Sequence, residues 1–185
     1  MESSLKNMVM VLVVITLIAS ASVGAIYQFT KEPILAAKEA KLNAAIVQVL
    51  PQFTELQESK NIDIDGENVV IYPAVNGSEV VGYAVESFSK NGFGGVIKVL
   101  VGFECDGTIF STEVISHAET PGLGDKMDKN KSDFSAQFKG KNPETFKVSV
   151  KKDGGDIDAI TAATISSRAY ADAINNAYKA FQQAK

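Results

Sequence analysis

The sequence predicts an α+β fold, an antiparallel sheet with packed helices, preceded by one N-terminal transmembrane helix. Three observations carry that expectation. Residues 8–26 contain no charged side chain, and roughly 20 apolar residues suffice for a helix to cross a bilayer. Runs rich in Val, Ile, Tyr and Phe follow, broken at Asn76-Gly77 and Asp106-Gly107. Such dipeptides mark hairpins, because type I′ turns need positive φ at their central residues. Towards the C-terminus, Ile165, Ala169, Ala173, Ala177 and Phe181 recur at helical spacing, which predicts one narrow face packed on the sheet.

Taken in order, the apolar run 8–26 reads as a membrane anchor. A cleaved signal peptide is the alternative, with Lys6 as its basic region, 8–18 as its apolar region and Ala19-Ser20-Ala21 as its cleavage site. Either reading puts Lys31 onward outside the cytoplasm. The expected location is therefore the inner membrane, single-pass, with the soluble domain on the periplasmic side. Glu32-Pro33 then opens a second helix through Ile34, Leu35, Ala37, Leu42, Ala45, Ile46, Val49 and Leu50, which Pro51 stops. Strands are expected over 68–75, 79–88, 95–104 and 108–116, as a meander. A helix near 131–138, a strand over 145–150 and a final helix from about Ala162 follow, with Asp158 or Thr161 as its cap. The chain thus divides into an N-terminal segment (1–30), a helical connector (31–60) and a ligand-binding domain (61–185).

Composition narrows the function. The net charge is −4 and no basic cluster is present, which argues against nucleic acid as a partner. One cysteine, Cys105, and one histidine, His117, leave no intrachain disulfide and no ligand set for zinc or an iron–sulfur cluster. Redox chemistry in this chain then calls for an organic cofactor or haem. Haem is disfavoured because its c-type attachment signature needs two cysteines followed by His, and no metal site or catalytic residue is expected.

The chemistry-bearing stretch is Asp158-Ala159-Ile160-Thr161-Ala162-Ala163-Thr164-Ile165-Ser166. Small residues surround a threonine at a helix start, where backbone N–H groups and the helix dipole favour an anion. The plainer alternative is a helix-start threonine bonded to nearby backbone. A second stretch, His117-Ala118-Glu119-Thr120-Pro121-Gly122-Leu123-Gly124, has the Pro-Gly chemistry of a turn after a strand. A third, Asn91-Gly92-Phe93-Gly94-Gly95, lacks the Lys-Ser/Thr pair of a P-loop and reads equally as a plain hairpin.

The first stretch resembles the flavinylation motif Asp-x-x-(Ser/Thr)-Gly-Ala-Thr-x-(Ser/Thr), with Ala162 in place of the usual glycine. All three stretches, in this order, are similar to the FMN-binding G subunit of the Rnf ion-translocating electron-transport complex, and to the related C subunit of the sodium-pumping NADH:quinone reductase. The resemblance implies FMN joined through its phosphate to the Thr164 hydroxyl, which would make the chain a covalent flavoprotein and, through the ester, a phosphoprotein. It implies a cofactor site of Thr164, Thr161, Ala163, Asp158, Glu119, Thr120, Leu123 and Gly124, walled by Gly94 and Gly95. A threonine hydroxyl is a poor nucleophile without an activating base, so attachment would fall to a magnesium-dependent flavin transferase that uses FAD. Asp158 would then serve either as helix cap or as a recognition element for that enzyme. The implied role is an electron-carrying subunit of a translocase that couples ferredoxin oxidation and NAD⁺ reduction to ion movement, with the other subunits of that membrane complex as partners. The alternatives are a membrane-tethered flavin sensor and a cofactor-free exported binding module.

Overall fold

From Leu5 the chain is helical to Val49 (α1). The computed structural model describes residues 4–185 and separates into two compact units, Met1–Lys41 and Leu42–Lys185. Pro33 lies inside α1 and does not open a second helix as the sequence predicts. Proline forfeits one backbone hydrogen bond there, while the Lys, Glu, Ala and Leu residues around it, all strong helix formers, carry the helix onward. The most apolar 18-residue window of α1 has a mean hydropathy of 2.6 and none of it is buried. Among the described residues it is the one helix long and apolar enough to cross a membrane.

The second unit is built on an antiparallel sheet of β1 (Glu55–Leu56), β2 (Lys60–Ile64), β3 (Glu67–Asn76), β4 (Glu79–Gly92), β5 (Gly95–Phe103) and β6 (Ile109–Ser116). Strands β3 to β6 form the expected meander, and β1 and β2 both pair with β3. Turn chemistry fixes the register. Asp65 and Gly66 both have positive φ, 56° and 83°, between the paired residues Ile64 and Glu67. That is the type I′ connection, at an Asp-Gly that the sequence reading does not single out. At Asn76-Gly77 only Gly77 has positive φ. It stands first of the two residues between paired Asn76 and Glu79, the type II′ position rather than I′. At Asp106-Gly107 a Gly107 N–H to Glu104 carbonyl bond (3.0 Å) closes a turn, and Gly107 itself lies in the left-handed region.

Strand alternation sends two sets of side chains to opposite faces. Val85, Val99, Val101 and Phe103 join one core with α2 (Thr164–Ala184), whereas Ala74, Ala84 and Leu100 pack with Ala45, Ile46, Val49 and Leu50 at the end of α1. Gly102 permits that second contact: a Cβ there would stand 1.7 Å from the Val49 carbonyl oxygen. On α2, Ala169, Ala173, Ala177 and Phe181 are buried as the spacing predicts, joined by Tyr170 and Ile174. Tyr170 packs its ring 5.3 Å from Phe134 and 5.4 Å from Phe138, and its hydroxyl donates to Thr112 Oγ1 at 2.8 Å.

Several expectations are corrected. Ile165 is exposed at the start of α2. The helix near 131–138 is a short 3₁₀ turn, Phe134–Phe138, and residues 145–150 form no strand, only an isolated bridge from Val150 to Ile157. Neither Asp158 nor Thr161 caps α2: Ala163 holds that position, without a side-chain hydrogen bond.

Candidate cofactor-binding site

Three loops meet at the N-terminus of α2. The first is the Gly92–Gly95 hairpin tip between β4 and β5, where Phe93 is 70% exposed. Gly94 N–H donates to Glu119 Oε1 at 2.9 Å. Only glycine allows this approach, since a Cβ on Gly94 would fall 2.0 Å from the Ala118 carbonyl oxygen.

The second loop follows β6. The Leu123 N–H donates to the Thr120 carbonyl at 3.1 Å, and Gly122 has φ +79°. With Pro121 first and Gly122 second, this is a type II turn. The lone histidine has structural partners. His117 Nδ1 accepts the Glu119 N–H at 3.0 Å, which leaves its proton on Nε2, 3.3 Å from Asp128 Oδ2. Nearby, Asp125 is buried beside Lys131 at 2.7 Å, and that ammonium hydrogen bond holds its carboxyl below the usual range. These contacts brace the loop from behind.

The third loop is the motif itself. The Ala163 N–H donates to the Ile160 carbonyl at 3.0 Å, closing a turn in which Ala162 has φ +62°. Ala162 therefore holds the third position of a type II turn, the one that requires positive φ and favours glycine. Ser167 staples the turn: its hydroxyl accepts the Ile160 N–H at 2.9 Å and donates to the Ala163 carbonyl at 3.0 Å. Beyond the turn, the N–H groups of Thr164, Ile165 and Ser166 find no acceptor among the described residues, and no side chain caps them. The Thr164 hydroxyl likewise has no hydrogen-bond partner among those residues.

Between these loops lies a cleft of about 330 Å³, within the usual size range of small-molecule sites. Its walls are Phe93 from the first loop, Glu119, Thr120, Leu123 and Gly124 from the second, and Ala162 to Ser166 from the third. Gly124 leaves room for a buried pair: Ser166 Oγ donates to Glu119 Oε2 at 2.5 Å, and a Cβ on Gly124 would stand 2.5 and 2.6 Å from those two oxygens.

Of the residues proposed from sequence, the cleft thus brings together Thr164, Ala163, Glu119, Thr120, Leu123 and Gly124. Gly94 reaches it through Glu119, and Gly95 stands behind as a hairpin glycine with φ +110°. Asp158 and Thr161 instead line a neighbouring groove with Lys126 and Gln137. The Gln137 side chain clamps the Asp158 backbone, accepting from its N–H at 2.8 Å and donating to its carbonyl at 3.2 Å. The Asp158 carboxylate is 76% exposed beside Lys151. Phe93, Ala162, Ile165 and Ser166 are wall residues missing from the site proposed from sequence, although all four lie within the stretches singled out there. Phe93 has a usable signal, an aromatic in a glycine tip, whereas Ile165 reads as core from helical spacing alone.

Uncapped amides at a helix start, with the positive end of its dipole, suit a phosphate. The apolar walls suit a flat ring. Comparison with known proteins agrees with that chemistry. The sequence profile of the FMN-binding domain matches residues 92–179, a span that holds all three loops. The chain is 34% identical to the G subunit of the ion-translocating oxidoreductase complex of Vibrio atlanticus, over 99% of this chain and 93% of that protein. It is 34% identical to the same subunit of Shewanella baltica, over 90% and 84%, and 35% identical to that of Vibrio vulnificus, over 80% and 75%.

Proposed function

Because the chain belongs to the family of ion-translocating oxidoreductase complex G subunits, we propose that it is an electron-transfer subunit holding FMN by a phosphoester to Thr164. The observation that carries this reading is the start of α2. Three free N–H groups and one free hydroxyl converge on the cleft from consecutive residues. In other helices a Ser, Thr, Asp or Asn side chain fills that place; here a ligand phosphate would.

The residues present fit FMN. The α2 amides would receive the phosphate, Thr164 would carry the ester, and Phe93 and Leu123 would flank the ring. Bound flavin supplies the electron-transfer chemistry; the chain positions and tunes it. Gly124 and Gly94 keep Cβ atoms out of the cleft floor, and the type II turn at Ala162 aims the Thr164 hydroxyl and the amides at one place. Attachment would fall to a flavin transferase that uses FAD and magnesium, because no base stands within hydrogen-bonding reach of the Thr164 hydroxyl among the described residues. Asp158, free of any capping duty and exposed beside the motif, would be read by that enzyme. α1 would be retained as an anchor, with the flavin domain on the periplasmic side, where a covalent bond prevents loss of the cofactor. The other subunits of the complex would be its redox partners.

The test is the intact mass of the chain coexpressed with and without the transferase, followed by peptide mapping. One FMN less water on the Thr164 peptide, seen only with the transferase, is expected. Thr164→Ala should lose covalent flavin and keep its fold by circular dichroism. Flavin fluorescence that survives a denaturing gel of that variant would sink the assignment.

A further inference from the structure

On the reading that the cleft holds FMN, we propose that Glu119 sets the reduction potential of the bound flavin. Glu119 lines the cleft yet is only 5% exposed. Its two oxygens accept from two neutral donors, the Gly94 N–H at 2.9 Å and the Ser166 hydroxyl at 2.5 Å. Among the described residues no cation forms an ion pair with it, although Asp125, Asp128 and Glu113 in the same region all have lysine partners. A carboxylate removed from water without a cation is costly. Packing alone does not call for one: a glutamine of the same shape would keep the Gly94 bond and pair with Ser166 at no such cost.

What the charge does reach is the cleft it lines, and its burial leaves it less screened by water and salt than a surface carboxylate. The cleft therefore holds charges of both signs close together: the α2 amides are positive, as a phosphate requires, and the Glu119 carboxylate, bonded to Ser166 in the first turn of that helix, is negative. The carboxylate is also held still. A Cβ on Gly92 would stand 2.8 Å from Oε1 and one on Gly124 would stand 2.6 Å from Oε2, so the backbone closes around it on two sides. Reduction delivers electrons from an outside donor to the flavin and onward to an outside acceptor. Glu119 gains and loses neither electrons nor bonds. A fixed negative charge in the wall of the cleft opposes electrons added to a flavin held there and keeps the potential down.

The test is a spectroelectrochemical titration of the full-length chain, coexpressed with the transferase and purified in detergent. Flavin absorbance is the readout, so only loaded protein is counted. Glu119→Gln, which removes the charge, shifts the midpoint to a more positive value. Ser166→Ala, which removes one of the donors that spread the charge, shifts it to a more negative one. Opposite signs are the mark of an electrostatic role, because simple loosening of the cleft moves both variants the same way. Shifts of the same sign, or none in either variant, overturn the proposal. Should Glu119→Gln load no flavin, Ser166→Ala decides alone: a negative shift supports the proposal and a zero or positive one overturns it. Wild-type chain without flavin absorbance would overturn the FMN reading itself, a distinct result.

Discussion

A single methyl group distinguishes this chain's motif from the usual one, and the backbone shows why it matters. Ala162 has φ +62° at a turn position that glycine enters freely. For an L-residue with a Cβ the left-handed region costs roughly 1–2 kcal/mol. Glycine would relieve that strain but give back about 0.4–1 kcal/mol through the greater freedom of the unfolded chain. Ala162→Gly is therefore expected to stabilise the domain by about 0.5–1 kcal/mol, a rise in Tm of about 2–4 °C at this size. Thermal unfolding followed by circular dichroism measures it, and an unchanged or lower Tm would mean that the turn holds alanine without strain. The strain persists because the Ser167 staple and the Ala163–Ile160 bond fix the turn from both sides. Sequence alone shows the departure and leaves its backbone conformation open, because φ at 162 depends on where Ser167 sits one turn into α2.

At the scale of elements, what is legible in the sequence follows how local the determining physics is. Strands β3 to β6 are readable because their alternation and their turn glycines act within a few residues. Strand β2 is not. Its sequence, Lys60-Asn61-Ile62-Asp63-Ile64, is mostly polar, and it exists because Asp65-Gly66 folds it back onto β3. The strand expected over 145–150 fails for the converse reason: β-type residues are present, but their backbone groups bond to the Asp156 carboxylate, the Asn175 side chain and the Ile157 backbone instead of to a strand. The site divides in the same way. Thr164 and the Glu119–Gly124 loop are visible as motifs, whereas the Glu119–Ser166 bond joins residues 47 positions apart in sequence, and only the fold shows it. Packing of the end of α1 on the sheet includes one such long-range contact, Gly102 against the Val49 carbonyl. Gly102→Ala drives a methyl group into backbone, which cannot yield as a flexible side chain would. A loss of at least about 2 kcal/mol is expected, or roughly 5 °C or more in Tm. A Tm within a degree of wild type would show that the helix end shifts without cost, and that this face contributes little to stability.

At the scale of the whole molecule, the chain carries its own reporter of membrane topology. It has a single cysteine, Cys105, exposed in the β5–β6 turn of the second unit. The proposal that α1 is a retained anchor with the flavin domain outside the cytoplasm therefore makes two linked statements about one preparation. Spheroplasts expressing the chain are treated with a membrane-impermeant maleimide, before or after lysis, and the membrane fraction is then analysed by intact mass. Labelling of Cys105 before lysis is expected, on a chain that retains residues 8–26. Labelling only after lysis would place the domain in the cytoplasm and reverse the orientation. Labelling before lysis on a shortened chain, found in the soluble fraction, would mean that the apolar segment is a signal peptide cut near Ala21. The retained anchor is the better fit to the proposed chemistry. Electron transfer needs the flavin close to its partners, and a tether confines the domain to their surface, which raises its effective concentration there. A freely diffusing carrier would lose that advantage.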